Sequence, residues 1–119
     1  MGYVWVDTVL KNPFTGRSIS VKALVDTGTT LAVIPRRVAD ELGLPVIGRS
    51  VVQTAKGVAE LEARFGVVEV MGEETPASAR ILVSDGVDTV LIGITVLEQL
   101  GLEVDPVTGK LKKTKLLLL

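Results

Sequence analysis

The 119-residue sequence contains no cysteine and no histidine, and aromatic residues make up only 3% of it. Without cysteine there is no disulfide, thiolate nucleophile or cysteine metal cluster. Without histidine there is no imidazole base, no Ser-His-Asp triad and no usual zinc or haem ligand. We therefore expect neither a metal nor a cofactor that is held by cysteine or histidine. Any catalysis is left to Asp, Glu, Ser, Thr, Lys or Tyr side chains.

The charge is nearly balanced, with 13 Lys and Arg against 14 Asp and Glu, for a net charge of -1. No excess of positive charge is available to hold a phosphate backbone, so nucleic acid is not an expected partner. No apolar run approaches the roughly 18 residues that span a bilayer, so no membrane partner is expected either. The first residues show no basic flank before an apolar run and no small-residue cleavage site, which predicts a cytoplasmic location.

The length predicts one domain over residues 1–119. Hydrophobic residues make up 47% of the chain, enough to fill a core and leave apolar surface, which favours an oligomer. Short apolar bursts between Gly, Pro and Asp predict a mostly β structure. The predicted strands are residues 3–10, 18–25, 31–34, 50–54, 59–71 and 77–83, with turns at 12–16, 56–57, 72–76 and 84–86 and a hairpin-like segment at 103–111.

Two short helices are predicted over residues 35–43 and 94–100. Each is closed by a glycine, Gly43 or Gly101, suited to the left-handed position that ends a helix. An apolar segment that ends in glycine lies before each helix in the sequence, at residues 23–28 and 89–93. This similarity hints at an internal duplication.

Asp26 is the carboxylate with the most distinctive surroundings, because it ends an apolar strand and precedes Thr27 and Gly28. Functional carboxyl groups are often found in such settings. A simpler interpretation is an Asp that ends a strand with an Asx turn, and the tripeptide alone does not decide between the two.

Further motifs in the same order make the sequence resemble the retropepsin-like aspartic proteases, in particular the cellular, prokaryote-type members. The resemblance covers roughly residues 3–111. The motifs that carry it are Leu24-Val25-Asp26-Thr27-Gly28, a glycine-bearing hairpin at 55–59, Leu91-Ile92-Gly93 before a helix, Leu100-Gly101-Leu102 and Asp105-Pro106-Val107-Thr108-Gly109-Lys110-Leu111. The resemblance implies an all-β, retropepsin-like closed β-barrel or sandwich with one or two short helices, assembled as a homodimer.

The resemblance also implies an activity, that of an aspartic endopeptidase acting on extended peptides. Each subunit would supply one Asp26, and the two carboxyl groups would share a proton across the dimer axis and activate a water molecule. Thr27 would hydrogen-bond across the dimer, Gly28 would let the substrate backbone approach, and Thr29 would bond the outer carboxylate oxygen.

Residues 53–60 resemble the flap that closes over a bound peptide and donates main-chain hydrogen bonds to it. The flap and substrate-binding candidates are Ala55, Lys56, Gly57 and Val58. The apolar subsite candidates are Ile34, Val52, Leu91 and Ile92, although core packing is the more frequent fate of such residues. The predicted strands at 3–10 and 111–119 are candidates for pairing between subunits.

Two features depart from the family pattern. The hairpin has one clear glycine rather than several. Ile94 and Thr95 follow Gly93 where retroviral members have Arg-Asn or Arg-Asp, so the ion pair that braces their active-site loop is expected to be replaced or absent.

Two other functions stay open. Asp26-Thr27-Gly28-Thr29-Thr30 partly resembles the Asp-x-x-Gly-Thr element of aspartyl-phosphate phosphatases, with Asp85 and Asp88 as Mg²⁺ ligands, but that enzyme needs an α/β fold. The other is a catalytically silent β-rich dimerisation or peptide-binding module of the same fold.

Overall fold

The computed structural model describes residues 3–70, 72 and 76–118. The strands are β1 (Val4–Lys11), β2 (Ser18–Val25), β3 (Ala32–Pro35), β4 (Val46–Thr54), β5 (Gly57–Val70), β6 (Ala77–Ser84), β7 (Leu91–Ile92), β8 (Leu102–Val104) and β9 (Leu111–Lys113), and the helices are α1 (Arg36–Leu42) and α2 (Ile94–Leu100). The prediction of a mostly β chain with two short helices is confirmed. Parts of the predicted strand 59–71, turn 72–76 and segment 111–119 fall at residues 71, 73–75 and 119, outside the described residues.

Seven strands form one sheet in the order β1-β2-β7-β3-β6-β5-β4, and β5 also pairs with β1. The pairings of β2 with β7 and of β3 with β6 are parallel, and the others in this sheet are antiparallel. In the β2–β7 pair, Val25 lies opposite Ile92. Asp26 and Gly93 therefore leave the sheet side by side, which brings two distant motifs of the sequence together.

Each helix contributes one apolar face to the main core, namely Val38, Ala39 and Leu42 from α1 and Val96 and Leu97 from α2. Burying the valine and leucine side chains stabilises the fold by about 1.5–3 kcal/mol each. Gly43 and Gly101 follow the helices in the left-handed conformation, with φ of 63° and 69°, which confirms the predicted glycine stops. Neither these two helices nor any other helix within the described residues has the length and apolar character needed to cross a bilayer.

A second, smaller apolar cluster lies on the other face of the strands that build the core. It consists of Val33 on β3, Ala63 on β5 and Leu82 on β6. Successive side chains of a strand point to opposite faces, so one strand supplies both clusters. Ile34, for example, is buried in the main core while Val33 belongs to the second cluster.

The chain after α2 differs from the prediction. β8 and β9 form a separate two-stranded antiparallel sheet, and β9 ends at Lys113. Among the described residues of the predicted terminal strand, residues 114–118 have no strand assignment. Leu116, Leu117 and Leu118 are exposed.

Candidate active site

The Asp26 loop, residues 26–31, begins where β2 ends. The Asp26 amide donates to the Ile92 carbonyl at 2.9 Å, which extends the parallel pairing of β2 with β7 by one residue. The Asp26 carboxylate then turns back onto its own loop. Oδ1 accepts a hydrogen bond from the Gly28 amide at 3.0 Å, and Oδ2 accepts one from the Thr29 hydroxyl at 2.9 Å. The bond from Gly28, two residues along the chain, forms the Asx turn that the sequence left open, and the Thr29 hydroxyl holds the second carboxylate oxygen.

Gly28 lies close to the carboxylate that it helps to orient. A Cβ atom added to Gly28 would be 3.3 Å from Asp26 Oδ1. Glycine therefore leaves room for the carboxylate oxygen while its amide donates to that same oxygen. Thr27, the residue between them, is exposed.

The first two residues of α2 donate hydrogen bonds to backbone carbonyl groups of the Asp26 loop. The Ile94 amide donates to the Thr29 carbonyl at 2.8 Å, and the Thr95 amide and hydroxyl both donate to the Thr30 carbonyl, at 3.0 and 2.6 Å. These neutral hydrogen bonds lie at the two positions where the sequence departs from the retroviral Arg-Asn or Arg-Asp. No local pattern in the sequence predicts this role for Thr95, because a threonine after a glycine and an isoleucine gives no sign of a contact 65 residues away.

Gly93 makes the close approach of α2 possible. A Cβ atom at this position would be 2.3 Å from the Leu31 carbonyl oxygen and 2.6 Å from the Thr29 carbonyl oxygen. Both neighbours are backbone atoms, which cannot move aside without displacing the loop. The glycine of the Leu91-Ile92-Gly93 motif is thus required by packing against the loop that carries Asp26.

A cleft of ≈ 680 Å³ opens beside the Asp26 loop. Its lining residues come from four parts of the chain and are Gly28, Thr29, Thr30, Leu31, Val33, Ser50, Val51, Val52, Gln53, Thr54, Leu61, Leu82, Ser84, Val87 and Leu91. Val33 and Leu82 of the second apolar cluster are part of this lining. The cleft therefore combines an apolar floor with the polar backbone of the Asp26 loop and of β4.

The four subsite candidates divide between this cleft and the core. Val52 and Leu91 line the cleft. Ile34 and Ile92 are fully buried in the main core, so the structure corrects their assignment to subsites. The physical reason is strand alternation, because each is the immediate neighbour of a cleft residue and its side chain points to the other face.

The predicted hairpin is present, with β4 and β5 paired up to Thr54 and Gly57 around the turn Ala55-Lys56. The Thr54 hydroxyl holds this turn, accepting from the Lys56 amide at 3.2 Å and donating to the Gly57 carbonyl at 2.8 Å. Ala55, Lys56 and Val58 are exposed and Gly57 is partly exposed. The cleft is lined by residues 50–54 of the β4 arm, whereas the four predicted flap residues lie beyond it at the tip.

A cluster of ion pairs among Arg36, Glu62, Arg64 and Asp85 borders the residues that line the cleft. A hydrogen bond from Arg36, together with its charge, lowers the pKa of the Asp85 carboxyl. A hydrogen bond from Arg64, followed by the charges of Arg64 and Arg36, lowers the pKa of Glu62. In the part of the chain that the structure describes, no group of three or more acidic, His or Cys side chains is placed to hold a metal ion.

Residues 14–99 match the model of the family described as "gag-polyprotein putative aspartyl protease". The chain belongs to this family. The matched residues include the Asp26 loop, the hairpin, the cleft and most of α2. A search of curated proteins found no match.

Solved structures show that the fold is retropepsin-like. The chain is similar to the EIAV protease complexed with the inhibitor HBY-793, with 17% identity, 98% of this chain and 94% of that chain covered, and a TM-score of 0.67. It is also similar to the retroviral protease-like domain of Ddi1 from Leishmania major, at 21% identity, 95% and 89% coverage and a TM-score of 0.62. The simian foamy virus (mac) protease matches at 18% identity, 78% and 90% coverage and a TM-score of 0.56.

The retropepsin-like fold removes the structural basis of the phosphatase alternative. That enzyme would need an α/β fold with helices between parallel strands. Most strand pairs here are antiparallel, and the helices α1 and α2 have seven residues each.

Proposed function

We propose that the protein is a homodimeric aspartic endopeptidase in which the Asp26 carboxyl groups of two subunits activate a water molecule. The observation that carries this proposal is the placement of the Asp26 carboxylate, held by Gly28 and Thr29, beside a cleft that those same two residues line, in a chain of the aspartyl protease family. The sequence contains one Asp-Thr-Gly, so one chain supplies one such carboxylate. A complete pair of carboxyl groups then requires a second copy.

The chemistry follows from the pairing of two like charges. Two carboxyl groups about 3 Å apart do not both ionise, so one is a base and the other an acid. The base takes a proton from water as the oxygen attacks the carbonyl carbon of the peptide bond, and the acid protonates the carbonyl oxygen. Transfer of a proton to the amide nitrogen then breaks the carbon–nitrogen bond. Gly28 and Thr29 keep the carboxylate in one orientation through this cycle.

The surface around Thr27 supports a dimer. Thr27 borders two depressions, one lined by Tyr3 and Val107 among others and one lined by Ile94 among others. Tyr3 is 78%, Val107 90% and Ile94 40% exposed. Covering this apolar surface with a second copy removes it from water, at about 25 cal/mol per Å², and brings the two Asp26 loops towards each other.

The cleft supports a peptide substrate in extended form. Its lining includes the Asp26 loop and the β4 arm of the hairpin, both of which offer backbone groups to an added strand. Its floor includes Val33 and Leu82, which favour apolar substrate side chains. A peptide or protein is accordingly the proposed substrate, and the cytoplasmic location remains a prediction from the sequence.

The test is cleavage of unfolded protein and peptide substrates in mild acid, between about pH 4 and 6, because the mechanism needs one protonated and one ionised carboxyl group. Wild type and Asp26→Asn are compared, with and without a pepstatin-like inhibitor. Asn has nearly the same shape as Asp, so circular dichroism and sedimentation serve to show that the variant still folds and assembles. We expect cleavage by wild type alone, and inhibition of that cleavage.

Equal cleavage by both proteins would contradict the mechanism. Peptide binding by both proteins with cleavage by neither would instead identify a non-catalytic peptide-binding module of the same fold.

A further inference from the structure

The turn between β6 and β7, residues 84–88, forms one wall of the cleft, and we call it the cleft turn. Ser84 and Val87 belong to the cleft lining, and Val87 packs against the second apolar cluster. Within the turn itself, the Ser84 hydroxyl accepts a hydrogen bond from the Gly86 amide at 3.1 Å. This single short-range bond is a weak constraint on the position of Val87.

Helix α1 supplies two arginine contacts to this turn. Arg36 donates from Nε to Asp85 Oδ1 at 2.8 Å and from Nη2 to Asp85 Oδ2 at 3.3 Å. Arg37 donates from Nη2 to the Asp88 carbonyl at 3.2 Å. The two arginines therefore contact the cleft turn on either side of Val87.

Arg36 is itself fixed to the hairpin strand β5. Its Nη1 lies 3.4 Å from Glu62 Oε2, and the same oxygen accepts from Arg64 Nε at 2.7 Å. Arg64 also contacts Asp40 of α1 at 3.1 Å. Glu62 directly follows Leu61, which lines the cleft. Arg36 therefore links β5 to the cleft turn, with one nitrogen atom facing Glu62 and two bound to the turn.

This geometry requires arginine. The planar guanidinium group can bind both oxygens of Asp85 while its third nitrogen faces Glu62, whereas a lysine ammonium group has no such fork. The side chains of Arg36 and Asp85 are 41% and 73% exposed. Exposed ion pairs contribute little to overall stability, so the consequence of this contact is the position of the turn.

We propose that Arg36 is a positioning residue that, by binding Asp85, fixes Val87 in the cleft wall and so determines which substrate side chains the cleft accepts. The proposal rests on the proposed protease function for its last step. Its first step, the placement of the cleft turn, is independent of catalysis.

Hydrogen–deuterium exchange of the full chain tests the first step. We compare wild type with Arg36→Gln, and use Arg17→Gln as the matched control, because Arg17 Nη1 donates to the Glu41 carbonyl of the same helix at 3.1 Å without contacting the turn. Loss of an exposed ion pair should speed exchange of the Gly86 amide, which donates to Ser84 within the cleft turn, about two- to fivefold in Arg36→Gln and leave Arg17→Gln like wild type. Equal exchange in all three proteins would overturn the proposal.

Cleavage specificity tests the second step. A bond that wild type cleaves in the insulin B chain is placed in synthetic peptides with Leu or Ala on either side of it. We expect Arg36→Gln to lower the Leu-to-Ala ratio of kcat/KM about threefold or more, chiefly through KM, because a displaced Val87 leaves the cleft less selective. Asp85→Asn should change the ratio in the same way, and adding it to Arg36→Gln should have no further effect.

The outcomes separate the two proposals. An unchanged ratio in Arg36→Gln overturns the role in specificity, whatever the exchange result. If wild type cleaves nothing, the proposed function fails and with it the role in specificity, and the exchange experiment still decides whether Arg36 holds the turn. Loss of protection throughout β5 and β6 in Arg36→Gln would show that this variant disturbs the whole sheet. Arg36→Lys then replaces it in both experiments, and we expect smaller changes in exchange and in the kcat/KM ratio, in the same directions.

Discussion

Gly93 allows the start of α2 to pack directly on the Asp26 loop, and Gly93→Ala is the change that perturbs this packing most locally. The added Cβ would lie 2.3 Å from one backbone oxygen of the loop and 2.6 Å from another, well inside van der Waals contact. The loop or the helix must therefore shift, and overpacking of this kind costs about 1–3 kcal/mol. The shift also disturbs the hydrogen bonds from Ile94 and Thr95 to the loop.

The expected loss of stability lowers the melting temperature. An unfolding entropy of about 2.1 cal/mol/K per residue makes 1 kcal/mol about 4 °C for a chain of this size, so Tm should fall by about 4–12 °C. Calorimetry at one fixed protein concentration measures this fall in Tm. Peptide cleavage should also decrease, because the shift of the loop displaces Asp26. Gly86→Ala is the control, since a Cβ there would meet only Ser84 Oγ at 3.6 Å, and its Tm should stay within about 2 °C of wild type. A Gly93→Ala protein with unchanged Tm and activity would refute the packing argument.

Three further predictions concern the carboxylates and the dimer. Thr29→Val removes the hydroxyl that donates to Asp26 Oδ2; a hydrogen bond to a charged group contributes about 1.5–3 kcal/mol, so kcat should fall by about tenfold or more, and an unchanged kcat would show that this bond is irrelevant to turnover. Specific activity should fall when the enzyme is diluted below the dimer dissociation constant. If sedimentation detects monomers at a concentration where specific activity is still unchanged, a single chain is active and the dimer is not required. The lowered pKa of Asp85 means that its pairing with Arg36 stabilises the fold above the unfolded Asp pKa of about 3.9 and ceases to do so as the pH falls through the lower folded value. The difference in free energy of unfolding between wild type and Asp85→Asn, from urea titrations, should therefore be constant above about pH 5 and shrink below pH 4; a difference that grows in acid would contradict the sign.

Local sequence signals predicted most of the fold. Gly43 and Gly101 end the two helices as expected, because the left-handed conformation that closes a helix favours glycine wherever the helix lies. The predicted strand over residues 18–25 and the hairpin turn near Lys56 are likewise set by residues close in sequence. Such features depend on the backbone preferences of a few neighbouring residues.

The composition of the cleft depends on pairing between distant strands, which the sequence does not display. Val33 and Ile34 are equally apolar, as are Leu91 and Ile92, and only the register of the sheet decides which residue of each pair faces the cleft. The contact of Arg36 with Asp85 joins residues 49 positions apart, at the ends of a parallel strand pair. Neither partner belongs to the motifs of the retropepsin-like resemblance, so no local signal marks their contact.

Mixed dimers of wild type and Asp26→Asn show whether each chain supplies half of the catalytic pair. Wild type and Asp26→Asn are unfolded together in urea, refolded in varying proportions at one total concentration well above the dissociation constant, and assayed for peptide cleavage. If a working site needs Asp26 from both subunits, activity follows the square of the wild-type fraction, and an equal mixture retains about one quarter of wild-type activity. Activity that falls linearly, with about one half left in the equal mixture, would show that a single chain holds a complete site and would contradict the account.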